Sequence, residues 1–386
     1  MRKAMNCQVR IKAFILLVSC IVVTSIFYCY IGEQRPLENI YENNLSQSIA
    51  KIKKVVVPAV EENRNYYLSN NYANTVNSEE FSEKYLENLG FIGQPRYYPD
   101  QVWTNVSLPV FVTAIKSGES STLKQIVASL QDYYSNVTLI VFDLSLDEDE
   151  VKTVKSFCNS SVSCSLRKFE FKSFPSHVRD LKLFAFRPII MQDILQQAGA
   201  VLWLDSSYQI TPSAFVKVPK IVEMAKKDGI KCWTIDEPTT AMTHPRMFDY
   251  FHTSPEKYYF HRMIEPNSFI LYNIETIHKN VMLPWVKCAL VPDCISPIGA
   301  QSYGCRYDKK PLYRYSGCHH YDMSALSILL GLNYNYQSEP YSVSEDDKFF
   351  RQISPEEVED ARIESSQRPP GTRDITTLDS NHAGYR

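Results

Sequence analysis

Asp205 is the residue whose surroundings say most about chemistry. It directly follows Ala200-Val-Leu-Trp-Leu204, an uninterrupted apolar run that reads as a β-strand buried on both faces. In open α/β sheets, ligands bind beyond the carboxyl ends of such strands. A carboxylate at that point can hold a divalent cation, Mn2+ or Mg2+, which in turn neutralises a diphosphate leaving group. The plainer reading is that Asp205 closes the turn that Asp-Ser-Ser sequences favour. Lys182 and Arg187 precede and open the helical segment leading into this strand. Cations there can meet a diphosphate, although surface placement explains them equally well. Asp236 and Glu237 follow Cys232-Trp-Thr-Ile235, a second strand-like run, as a carboxylate pair suited to acid–base work. The segments Met247-Phe-Asp-Tyr-Phe251 and Tyr258-Tyr-Phe260 are dense in rings, which stack on sugar faces or, more commonly, pack as core or lid. Cys318-His319-His320 is the one approach to a zinc ligand set, but tight C-x2-C pairs are missing. Two partly buried histidines beside a Cys318 disulfide fit the same residues.

The elements that must position these groups alternate. Leu108 to Ile115 is a β-type run, and Leu123, Ile126, Val127 and Leu130 then recur at helical spacing. Val137 to Phe142 reads as a second strand, ending at Asp143. Asp147 and Glu150 open a helix with Val151, Val154 and Phe157 on one face, and Ser165 to Phe171 reads as a third strand. Arg187 to Ala198 is a helix with Pro188 in its first turn and Gly199 just past its end. This β-α-β-α order implies an α/β domain built on a mostly parallel sheet with helices on both faces. Its expected limits are 105–345, preceded by a polar stem over 32–104. The charged, Pro-containing stretch 346–386 is expected to be disordered.

Three segments resemble, in order, the core of GT-A glycosyltransferases, particularly the glycogenin-like retaining family. They are Gly199-Ala-Val-Leu-Trp-Leu-Asp-Ser-Ser207, Asn267-Ser-Phe-Ile-Leu-Tyr-Asn273 and Tyr321-Asp-Met-Ser-Ala-Leu-Ser-Ile-Leu329. The wider pattern, with Leu-Asp-Ser-Ser and His-Tyr-Asp-x-Ser-Ala-Leu, is similar to that of nematode-type single-pass membrane proteins with a glycosyltransferase-like lumenal domain. The resemblance implies a nucleotide-sugar donor, a glycan or glycoprotein acceptor, and a metal at the strand end. It departs from the family where the second carboxylate of Asp-x-Asp is Ser207, a weak neutral ligand. Asp322 or His320 then becomes the candidate to complete a metal site with Asp205, and Asp322 joins Asp205 as a candidate catalytic carboxylate. Ser207 remains a donor contact. Asp322 also fits as the cap of a buried helix over Met323 to Leu332. A module that keeps the scaffold, binds glycan or protein and performs no transfer is the alternative function.

Bulk properties narrow the partners. A formal charge of −2 gives no field that favours nucleic acid, and neither G-x-G-x-x-G nor a Walker sequence occurs. Ala13 to Ile31 carries no charge and is long enough to cross a hydrocarbon core of roughly 30 Å. Arg2, Lys3, Arg10 and Lys12 precede it, so a signal anchor with a cytoplasmic tail over 1–12 places the remainder in the lumen of the Golgi or endoplasmic reticulum. A cleaved signal peptide is the competing reading. Sequons at Asn44, Asn105, Asn136 and Asn159 agree with either. So do cysteines 158, 164, 232, 288, 294, 305 and 318, with Cys158/Cys164 and Cys288/Cys294 spaced for small disulfide loops. Seven is odd, so one thiol is left free or paired outside the chain.

Overall fold

The structure is a computed structural model that describes residues 83–367, except 101, 104–107, 135–136, 159–162 and 309. The membrane span at 13–31, the cytoplasmic tail, most of the stem and the asparagines of all four sequons lie outside the described residues. Among the described residues no helix is long and apolar enough to cross a membrane.

After a short helix α1 (Glu83–Asn88), the chain alternates β1 (Val110–Ile115), α2 (Ser120–Tyr133), β2 (Thr138–Asp143), α3 (Glu148–Cys158), β3 (Ser163–Lys168), α4 (Phe186–Ala198) and β4 (Ala200–Leu204). Next come β5 (Tyr208–Ile210), α5 (Ala214–Asp228), β6 (Ile230–Pro238), β7 (Arg262–Tyr272), α6 (Leu283–Leu290), α7 (Tyr321–Asn333), β8 (Phe350–Gln352) and α8 (Pro355–Gln367). The main sheet has the order β3-β2-β1-β4-β7-β6. Strands β1 to β4 are parallel, β7 runs against β4, and β6 runs against β7, so five of six strands share a direction. The mostly parallel sheet read from the alternation is therefore present, with a single reversed strand inside it.

Both faces are covered, which is why β4 is buried along its whole length. One face packs Phe111, Leu202, Leu204 and Ile270 under apolar residues of α2 and α5, such as Leu123, Ile126, Val218 and Ile221. On the other, Trp203 stacks with Phe269, and Phe269 meets Trp285 of α6. Helix α4 ends where Gly199 takes a left-handed conformation, φ 73°. Only glycine fits, because a Cβ there would lie 2.6 Å from the Trp103 ring.

Trp103, at the end of a stem expected to pack in part on the domain, is buried, and its indole donates to the Gln197 carbonyl. One boundary differs from the sequence reading. Residues 346–367, expected to be disordered, are folded: β8 pairs with β5, and α8 packs on α2. Phe349 and Phe350 cross the Trp233 ring edge-on, so apolar burial too sparse to show in composition anchors this segment.

Candidate functional site

The order β3-β2-β1-β4 contains a reversal. From β1 the chain steps outward to β2 and β3, then returns by α4 to place β4 on the other side of β1. In open α/β sheets the helices diverge at such a point, and the ligand crevice lies beyond the carboxyl ends of the strands concerned, here β1 and β4. Two loops meet in it: Lys116-Ser-Gly-Glu119 after β1 and Asp205-Ser-Ser207 after β4. Ser206 Oγ donates to Glu119 Oε2 at 3.0 Å and fastens them together. Glu119 also accepts the Lys116 amide at 3.1 Å, and its other oxygen lies 3.4 Å from Lys116 Nζ.

Asp205 is half-buried, and Oδ1 accepts both the Ser207 amide at 3.1 Å and the Ser207 hydroxyl at 2.6 Å. This is the turn-closing geometry of the plainer reading, and it uses one carboxylate oxygen. The Asp205 amide donates to the Asn267 carbonyl, which ties the loop to β7. From β7, the Asn267 side-chain amide donates to Glu265, whose other oxygen pairs with Lys348 Nζ at 2.9 Å. The Ser207 carbonyl accepts from Ile353, so the C-terminal segment lies beside this loop. Burial pushes the Tyr208 hydroxyl above its ordinary range, and the charges of Glu265 and Asp205 add to the push while Lys348 opposes it.

The remaining sequence candidates lie elsewhere. Arg187 and Asp322 meet each other, with Nη1 2.8 Å from Oδ2 and side chains 2% and 1% exposed. Arg187 also lies over the Phe184 and Trp203 rings. Burial pushes the Asp322 carboxyl above the usual carboxylate range, against the pull of Arg187 and the Met323 amide. The pair is thus an internal brace between α4 and α7. Neither the metal and catalytic roles expected of Asp322 nor the diphosphate contact expected of Arg187 has a route to solvent. Asp322 does not cap α7 either: it sits inside the first turn, behind His320. His320 Nε2 faces the Tyr307 hydroxyl at 3.3 Å rather than Asp205. Lys182 is exposed on a one-turn helix.

Asp205, His320 and Asp322 therefore do not converge on one point. Among the described residues no group of three or more His, Cys, Asp or Glu side chains could hold a metal ion. These three side chains do not form the shared Mn2+ or Mg2+ site expected of them.

Glu119, Glu265, Asn267 and Lys348 were not singled out from sequence. Only the Asn267 segment carried a signal, as part of the strand motif; the others reach the crevice through long-range packing. Outside it, the structure closes Cys158–Cys164, Cys288–Cys294 and Cys305–Cys318, and leaves Cys232 as a buried free thiol.

A family model described as a protein of unknown function, DUF1647, matches residues 64–192. No curated protein matches the sequence. Among solved structures, the chain is similar to the apo form of the WbbM bifunctional glycosyltransferase, with 10% identity and a TM-score of 0.36 over 48% of this chain and 35% of that one. It is also similar to apo mouse xyloside xylosyltransferase 1, with 11% identity and a TM-score of 0.36 over 59% and 82%. A third is the mannosyltransferase Ktr4p from S. cerevisiae in complex with GDP, with 10% identity and a TM-score of 0.32 over 70% and 81%. The chain spans about a third of the length of the WbbM protein. At these identities no residue role passes from those proteins to this one.

Proposed function

We propose that the domain binds a nucleotide-diphosphate sugar in the crevice between β1 and β4 and passes the sugar to a glycan or glycoprotein acceptor. One observation carries this reading: the topological switch point of the sheet coincides with a hydrogen-bonded cluster of Asp205, Ser206, Ser207 and Glu119. An open α/β sheet binds nucleotides at that point, and the strand motif resembling glycogenin-like enzymes ends there. Lys116 and Lys348 are the cations at its rim. They, rather than a protein-held metal, would offset diphosphate charge. The three disulfides support placing the domain in an oxidising lumen, tethered through Ala13 to Ile31.

A non-catalytic donor- or glycan-binding module is the second reading. It is favoured by Asp205 Oδ1 being engaged by Ser207 and by Asp322 being sealed against Arg187.

Thermal shift with a panel of uridine and guanosine diphosphate sugars, each with Mn2+ or with a chelator, tests the donor site. At least one nucleotide sugar is expected to raise Tm, by an amount equivalent to about 2.7 kcal/mol at a hundredfold excess over Kd. The chelator should leave that shift in place, and Asp205→Ala should remove it. A flat panel on well-folded protein would end the donor reading. Stabilisation without donor hydrolysis or transfer would select the non-catalytic module.

A further inference from the structure

At the carboxyl end of β6, two strands across the sheet from β4, three aromatic rings meet. Phe260 is 91% exposed, and Leu312 nearby is 59% exposed. Tyr259 and Tyr313 stack with centroids 4.1 Å apart and planes at 20°, and Phe260 stands edge-on to Tyr313 at 6.4 Å. Tyr259 and Tyr313 are half-buried, so Phe260 and Leu312 are the apolar side chains that this surface leaves to solvent.

That arrangement is rigid. The buried Thr240 hydroxyl donates to the Tyr313 carbonyl at 2.7 Å. The loop bearing Tyr313 is closed by Cys305–Cys318 and bonded through Ser316 to Ala241. The Tyr259–Phe260 turn is held through His261, whose carbonyl accepts from Thr239 at 2.7 Å. A platform fixed in this way loses little conformational entropy when a ligand lands on it.

Hydrogen-bonding groups stand on the same segments as these rings. The Tyr307 hydroxyl and His320 Nε2 are 3.3 Å apart. Glu237, half-buried at the end of β6, is close enough for its charge to act on both. Arg262 and Asp236 form an exposed pair at 3.2 Å. An exposed ring on segments that also carry phenol, imidazole and carboxylate groups suits a pyranose, which offers a C–H face and a rim of hydroxyls. A purely apolar partner surface would leave that polar border unmatched.

We propose that this surface is a saccharide-binding site, in which a neutral pyranose packs on Phe260 beside the Tyr259–Tyr313 stack while its hydroxyls meet Glu237, Tyr307 and His320. The site stands without the donor reading. Where that reading holds, β7 links the two: its first residue, Arg262, pairs with Pro238 at this surface, and Asn267 is bonded to Asp205.

The test uses the full chain in detergent, without nucleotide, against immobilised neutral oligosaccharides of hexose, hexosamine and xylose units, with saturation-transfer NMR on those retained. At least one is expected to bind and to show transfer at ring protons. Phe260→Ala and Tyr313→Ala should each weaken it about tenfold or more, while Tyr313→Phe retains it. Phe260 is almost wholly exposed, so its removal reads binding rather than folding. Absence of any retained oligosaccharide overturns the proposal, and so does binding unchanged in Phe260→Ala. A concentration-dependent dimer lost in Phe260→Ala would instead assign the face to a second copy and also overturn it. Because nucleotide is absent throughout, failure here and failure of the donor site are separate results.

Discussion

A guanidinium and a carboxylate taken out of water each carry a penalty of several kcal/mol, which their mutual attraction offsets only when the geometry is good. Arg187 and Asp322 meet at 2.8 Å, yet Arg187 Nε has no hydrogen-bond partner. Removing one member strands the other. Asp322→Asn is accordingly expected to cost about 3–5 kcal/mol, read by chemical denaturation of the soluble fragment or full chain. The double replacement Arg187→Met with Asp322→Leu should recover most of that loss, because no buried charge remains. If the single variant is as stable as the parent, the pair is no brace and a ligand-facing role for Asp322 reopens. The same residues show what sequence can and cannot reveal at this scale. The position of Asp205 was legible, because a fully apolar strand followed by Asp-Ser-Ser fixes where its side chain emerges. The partner of Asp322 was not, since Arg187 lies on a different helix far away along the chain, and its charge suggested a ligand just as readily. Glu119, Glu265 and Lys348 were invisible for a related reason: ordinary surface residue types become a site only through sheet order.

Elements with strong periodicity were the easiest to read. The strand Ala200–Leu204 and the helix ending at Gly199 fall where pattern and capping place them, and the β-α-β-α run gave the parallel part of the sheet. The reversed direction of β7 left no trace in its sequence, because direction is set by the connection and not by residue type. The C-terminal segment misled for a different reason. Its charges dominate composition, while Phe349, Phe350, Ile353 and Ala361 supply burial at a few points. Glu357 binds the segment further, accepting from Arg351, Gln209 and the Ser354 amide, and these bonds, led by Arg351, hold its carboxyl down to about 2. Ending the chain at Lys348 should therefore expose Trp233 and the β5 edge. Losing two buried phenylalanines costs on the order of 3–5 kcal/mol each, so the truncated protein is expected to unfold or to melt many degrees lower. Ending it at Gln367 removes none of these contacts and should leave Tm unchanged. Equal melting of the two truncations would restore the disordered-tail reading.

Across the whole domain, three imidazoles sit far from the crevice, in separate parts of the core, and all titrate in one direction. His261 lies against the Tyr341 hydroxyl at 2.6 Å, His278 against Asn273, and His319 between the His244 amide and the Ile295 carbonyl. The amide donates to His319 Nδ1, so Nε2 carries the proton and the ring is neutral. Burial pushes His261 and His278 down to about 4 and His319 to about 3, from an ordinary 6.5. In the unfolded chain each takes up a proton near 6.5, whereas the native rings resist until much lower pH. Between those limits the unfolded state binds more protons, so stability rises with pH across the window and is lost as pH falls through it. A tenfold difference in proton affinity between the two states is worth about 1.4 kcal/mol, so over the full span His261 and His278 each withdraw up to roughly 3 kcal/mol and His319 up to roughly 5 kcal/mol. Tm should consequently hold steady from pH 8 to 7 and fall progressively between pH 6.5 and 4. Replacing His261 with Gln, which keeps a hydrogen-bonding group beside Tyr341 but cannot titrate, should flatten part of that slope while lowering Tm at neutral pH. A melting temperature constant down to pH 5, in parent and variant alike, would mean that these rings are already charged or already wet in the folded protein. The buried network linking β6, β7 and α7 would then have to be drawn differently.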